Sequence, residues 1–157
     1  MDNVSSVSGT FSSEGKPSAG APELQLRWRG AVLGVPISVL LVGGSADASR
    51  GLLHRFVDWV RERGDHVLRV APPSLRAGQR LPPGLHTQIR SQCTQAPLLI
   101  SVEDGHRFAL DDLQSLVDTV VKLGNGRSAM VVIAMPGEPT PVPKGCLEVR
   151  CHDAPSS

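Results

Sequence analysis

Three short and almost unbroken apolar runs, Ile37–Val42, Leu98–Val102 and residues 130–134, constrain this chain more than anything else in it. A strand open to water on one face alternates apolar and polar residues, whereas a run apolar throughout is covered on both faces, as in a parallel sheet packed between helices. The segments between the runs have a different period. Leu52, Leu53, Phe56, Val57 and Val60 form one stripe at helical spacing, with Arg55, Asp58, Arg61 and Glu62 between them and Gly64 as the stop. Leu113, Leu116, Val117, Val120 and Val121 form a second stripe. Asp111 and Asp112 occupy its first turn, where carboxylates meet the positive end of the helix dipole, and Gly124-Asn125-Gly126 ends it.

The remaining elements are shorter. His66–Val70 reads as a strand closed by Pro72-Pro73, and Leu85, Ile89 and Cys93 repeat at fourfold spacing as a short helix before Pro97. Leu24, Leu26 and Trp28 alternate with Gln25 and Arg27, the pattern of a short half-buried strand before a turn near Gly30. Residues 136–143 are a Pro-rich connection, and residues 146–150 supply a last edge strand. Residues 1–22 hold mostly Ser, Gly, Pro and Ala and cannot bury enough surface to offset chain entropy, so the expected division is a disordered tail over 1–22, one domain over 23–152 and a short tail over 153–157. Strands alternating with helices predict an α/β fold, a three-layer sandwich with a mostly parallel sheet and right-handed crossovers.

Several function classes are disfavoured. Sixteen Lys and Arg against fifteen Asp and Glu give a net charge of +1, too little to attract a phosphate backbone or an anionic membrane. Five aromatic residues, Phe11, Trp28, Phe56, Trp59 and Phe108, leave little material for stacking bases, so direct nucleic-acid binding is not expected. No run is long enough for a membrane span and the N-terminus lacks the apolar segment of a signal peptide, which predicts a cytoplasmic protein. Three cysteines do not make a disulfide framework, and Cys146, Cys151 and His152 lack a fourth partner for zinc. The Arg-rich, Lys-poor composition points to a GC-rich bacterial source.

In such folds ligands bind beyond the C-terminal ends of the strands, which directs attention to residues 43–50 and 103–107. A strand, a Gly-containing loop and a helix form the layout in which backbone N–H groups cradle phosphate. Here that loop is Gly43-Gly44-Ser45-Ala46-Asp47-Ala48-Ser49-Arg50, and the later strand ends in Glu103-Asp104, the apolar-then-acidic layout that P-loop ATPases use for metal coordination and water activation.

Residues of roughly 30 to 155 resemble the ATPase core of the large ATP-binding LuxR-type regulators, within the signal-transducing (STAND-type) P-loop ATPases. The similar features are the helix over Leu52 to Val60 followed by Val67-Leu68-Arg69-Val70, the strand with Glu103-Asp104, Gly105 and His106, and the turn Pro136-Gly137-Glu138-Pro139. The resemblance implies a P-loop NTPase-like fold. It also implies ATP or ADP near Gly43, Gly44, Ser45, Ser49 and Arg50, Mg²⁺ near Glu103 and Asp104, and His106 as a sensor of the phosphate state.

Departures from that pattern matter. Ser49 replaces the phosphate-loop Lys, Arg50 the Mg-binding hydroxyl, Ala46 a loop Gly, and Ala109 the acid that follows the His motif. Losing the Lys removes the point charge on the terminal phosphates, and an added Cβ crowds a backbone that must approach them. ATPase activity is therefore not expected. With the last core strand expected over residues 146–150, the helical sensor and helix-turn-helix regions of those regulators are not expected in this chain. The expectation is a degenerate, regulatory or partner-binding domain that is non-catalytic or weakly nucleotide-binding, a remnant of a larger regulator whose partner is a protein.

Two enzyme readings stand beside it. Ser45 at a strand-to-helix turn, with Asp104 or Asp111 and then His152, has the chain order of a hydrolase triad, but Asp47 occupies the second glycine of the elbow. The alternative retained is a Toll/interleukin-receptor-like signalling domain that binds or cleaves NAD, suggested by the parallel strands, Arg63-Gly64 and the late Pro-rich turn.

Overall fold

The computed structural model describes residues 21–42, 46–94, 96–123, 127–135 and 142–151. In chain order the elements are α1 (Ala21–Val32), β1 (Ile37–Val42), α2 (Ala46–Glu62), β2 (His66–Val70), α3 (Leu85–Gln92), β3 (Leu98–Val102), a 3-10 turn (Gly105–Arg107), α4 (Leu110–Lys122), β4 (Ala129–Met135) and β5 (Leu147–Arg150). The three apolar runs are β1, β3 and the centre of β4, and both long stripes are helices, as their periods require.

One element differs in kind. The segment expected as a strand over Leu24 to Trp28 is part of helix α1, and Gly30 lies inside that helix instead of at a turn. The spacing that wins is Leu24, Trp28 and Ala31, three residues on one helical face that are all fully buried, while Leu26 is 66% exposed on the other. Trp28 also places its indole N–H 2.9 Å from Asp65 Oδ2, which satisfies the one polar atom that its burial removes from water. The turn comes later, at Gly34, whose φ of 100° belongs to the left-handed region that favours glycine.

All strand pairings are parallel, in the order β2-β3-β4-β1-β5. From β1 the chain moves by way of α2 to the far edge at β2. It then returns through β3 and β4 and passes β1 to reach β5. Because such crossovers are right-handed, the outward journey and the return put their helices on opposite faces. The buried residues divide accordingly. Leu24, Trp28, Leu52, Phe56 and Val60 of α1 and α2 pack on Val39, Leu41, Leu99 and Val132, whereas Leu85 and Ile89 of α3 and Leu116 and Val120 of α4 pack on Leu40, Ile100, Val131 and Ile133. The fold is thus the expected three-layer α/β sandwich.

Details of α4 depart from the expected stripe. Val121 is 54% exposed, and Thr119 is buried in its stead, bonded through Oγ1 to the Ser115 carbonyl at 2.9 Å and to His86 Nδ1 at 2.8 Å. Those bonds let a hydroxyl occupy the α3–α4 seam at little cost. The expected stops at Gly43-Gly44 and Gly124-Asn125-Gly126, the greater part of the 136–143 connection and nearly all of both expected tails lie outside the described residues. Ala21 and Pro22, expected within the N-terminal tail, open α1. Among the described residues no helix is long and apolar enough to cross a membrane.

Candidate functional site at the strand ends

The chain reverses direction in the sheet at β1, and in such sheets ligands bind beyond the C-terminal ends of the strands, here where β1 leads toward α2 and β3 ends against that helix. The β2–β3 ladder runs one step past the strand, with the Glu103 N–H donating to the Val70 carbonyl at 2.9 Å. Side chains alternate along β3, so Glu103 continues the face of Leu99, the face covered by α2. Arg69 lies level with Ser101 on the neighbouring strand. His54 and Arg50 are four residues apart in α2 and therefore share one helix face.

These placements bring six charged or titratable groups together. Arg69 Nη2 donates to Glu103 Oε2 at 2.7 Å, and His54 Nε2 is 3.4 Å from Glu103 Oε1. The Glu103 side chain is only 15% exposed. Burial alone would raise its pKa, but the bonds to Arg69 and His54 outweigh that and hold the carboxyl below the ordinary range. Asp104 Oδ1 is 3.5 Å from Arg50 Nη2, and Arg50 Nη1 is 3.7 Å from Asp47 Oδ1.

The turn that carries the acids is fixed by its backbone. Asp104 has φ 48° and ψ 52°, a left-handed conformation that costs an ordinary side chain energy but that Asp tolerates better than most. Next comes Gly105, where a Cβ would overlap Ile133 Cγ2 and stand 2.7 Å from Met135 Sδ. Only glycine lets this turn lie so close to β4. Beyond it, Arg107 donates to the Leu75 carbonyl, and Gln79 pairs with Phe108 in a one-residue parallel bridge that holds the β2–α3 loop against the turn. Asp112 fastens the same loop, accepting from the Leu81 N–H and from Arg80 Nη1, each at 2.8 Å. The Leu81 N–H, helped by Arg80, outweighs burial and lowers the Asp112 pKa.

Of the residues singled out in the sequence, Arg50, Glu103 and Asp104 come together. Ser49 is buried in the first turn of α2, and Gly43, Gly44 and Ser45 lie outside the described residues. His106 sits in the 3-10 turn and, among the described residues, its Nδ1 has no hydrogen-bond partner. One assignment needs correcting: counted from Gly43, the second glycine of the phosphate-loop motif falls on Ala48, packed against the α2-side core, and not on Ala46. His54 and Arg69 were not among the expected site residues. Their signals were present in the spacing of His54 from Arg50 and in an Arg breaking the apolar strand β2.

A separate open groove of about 690 Å³ runs along α4, lined by Arg90, Gln114, Asp118, Lys122 and Arg127. It is on the opposite side of the sheet from α2 and does not include the acid pair.

Neither a protein-family model nor a curated protein matches the chain. Among solved structures, the chain is similar to a DNA polymerase III gamma subunit-related protein of Thermotoga maritima, with a TM-score of 0.50 and 14% identity. The similarity covers 81% of this chain and 45% of that one, so the chain spans less than half the length of its structural neighbour. At such identity the likeness is one of fold. Together with the sheet order, the two helical layers and the acids at the end of β3, it makes this an α/β, P-loop NTPase-like fold.

Proposed function

We propose that the chain is a non-catalytic P-loop-like domain with a regulatory role exerted through a protein partner, related to the ATPase core of the LuxR-type regulators. The observation that carries this reading is the pairing of both strand-end acids with cations of the same chain. In a hydrolytic site these carboxylates face metal and water. Here Glu103 is held by Arg69 and His54 and Asp104 by Arg50, while a Ser stands at the position of the phosphate-loop Lys. Magnesium does not fit acids so engaged, and no step is assigned to it.

Nucleotide affinity is correspondingly weak. The Arg50 pair is long and the Arg50 side chain is 41% exposed, so releasing it costs about 0–1 kcal/mol, and Arg50 is the cation that can turn toward the phosphates of ATP or ADP. A lone arginine in place of the loop Lys and Ser/Thr pair supports binding without turnover. Apolar side chains left open on and after α1, with Leu26 at 66%, Leu33 at 84% and Val35 at 57% exposure, are consistent with a protein partner.

The test is multiple-turnover hydrolysis of Mg-ATP by homogeneous protein, with unfolding scans in ATP, ADP and NAD alongside. No turnover above buffer is expected, with a small rise in midpoint for ATP or ADP that Arg50→Ala removes. Turnover that falls in Asp104→Asn would overturn the reading, and a shift with NAD alone would favour the Toll/interleukin-receptor-like alternative. A ligand at a hundred times its dissociation constant adds about 2.7 kcal/mol, enough for a scan to register.

A further inference from the structure

We infer that the acid pair at the end of β3 is a structural clamp that takes no divalent cation: Arg50, His54 and Arg69 stand where a metal ion would be held in a catalytic domain of this fold. The inference rests on the P-loop-like reading of the strand ends and deepens it. A carboxylate that serves Mg²⁺ must offer a free oxygen to an ion that demands near-octahedral geometry and gives up water reluctantly. Glu103 gives one oxygen to a hydrogen bond from Arg69, and both acids face the positive side chains of Arg69 and Arg50, which repel a divalent ion. Glu103 Oε2 is 2.7 Å from Arg69 Nη2 and its Oε1 is 3.4 Å from His54 Nε2, while Asp104 Oδ1 faces Arg50 Nη2 at 3.5 Å.

The three facing side chains come from two other elements, Arg69 from β2 and both Arg50 and His54 from α2. The network therefore ties the edge strand and the covering helix to the end of β3. The backbone allows the acids little room to turn elsewhere, because the Glu103 N–H is bonded to Val70, Asp104 is left-handed and Gly105 is wedged against Ile133 and Met135. The lowered pKa of Glu103 agrees, since burial without its hydrogen-bonding partners would have raised it. Among the described residues, no three His, Cys, Asp or Glu side chains are grouped to hold a metal.

The experiment uses Mn²⁺, which accepts the same oxygen ligands as Mg²⁺ and is read directly by electron paramagnetic resonance. Wild-type protein without nucleotide is expected to leave millimolar Mn²⁺ free. Arg50→Gln, a change at a half-exposed helix position that leaves folding intact, and Arg50→Gln/Arg69→Gln are expected to gain affinity by about tenfold or more, and adding Glu103→Gln should abolish the gain. Circular dichroism verifies folding, and Arg50→Gln decides the matter if the double variant does not fold. Wild-type Mn²⁺ binding that disappears in Glu103→Gln overturns the clamp, and so does the absence of any gain in the folded variants. ATP turnover by a wild-type protein that binds no Mn²⁺ would instead sink the non-catalytic reading and leave the clamp standing.

Discussion

At Gly105 the backbone of the acidic turn passes so close to β4 that a methyl group has nowhere to go except into Ile133 and Met135. Gly105→Ala is therefore expected to destabilise the domain by about 1–3 kcal/mol, the usual cost of overpacking, as measured by urea unfolding. A loss below about 0.5 kcal/mol would mean that β4 yields easily and that the acids are less firmly placed. Trp28 gives a second test at this scale. Its ring is fully buried and its N–H is bonded to Asp65, so Trp28→Phe should cost about 1–3 kcal/mol through a cavity and an orphaned acceptor.

Helix α1 is the element on which sequence and structure part. Leu24, Leu26 and Trp28 satisfy a period of two over five residues, and only a window reaching Ala31 reveals the helical face. The two readings predict different mutants. In the helix, Leu24→Ala should cost about 2–5 kcal/mol while Leu26→Glu stays within about 0.5 kcal/mol. A strand would put both leucines on one face and make both changes costly, so equal losses in thermal unfolding would contradict α1. Elsewhere the elements were legible, because β1, β3 and β4 are apolar but for Ser38 and Ser101 and α2 and α4 carry long stripes. The exchange of Val121 for Thr119 was not, since a threonine enters a core only when Ser115 and His86 supply its bonds.

For the molecule as a whole, the parallel sheet and its two helical layers could be read from the chain, but the strand order could not. Nothing local in β1 says that β4 and β5 will flank it while β2 goes to the edge. The site was half legible for the same reason. Arg50, Glu103 and Asp104 stand out beside strand ends, whereas the partnership of Glu103 with Arg69 and His54 exists only once β2 and α2 are assembled around β3. That assembly has a signature in pH. Glu103 and Asp112 have pKa values held below their ordinary 4.5 and 3.8, so near and below those values the unfolded chain binds more protons than the folded one. Their contribution is full above about pH 5 and fades as pH falls through the lowered folded values. At the other end, burial raises the Cys146 thiol from 9.0 to about 11, and the thiols of Cys93 and Cys151 are raised as well. Stability is then fully present below about pH 9 and lost as the unfolded thiols ionise above it. The midpoint plotted against pH should show a plateau between these limits, with the acid limb shallower in Glu103→Gln.

The most direct test of the account is the sign of the stability change in Glu103→Gln, measured by thermal unfolding near pH 7 without ligand. An acid retained for chemistry is held at a cost to the fold, and neutralising it stabilises the protein. An acid spent on a clamp does the opposite: the account predicts that the midpoint falls by about 2–4 °C for each kcal/mol lost when Arg69 and His54 lose their charged partner. A midpoint that rises would contradict it, and would return Glu103 to the company of catalytic carboxylates.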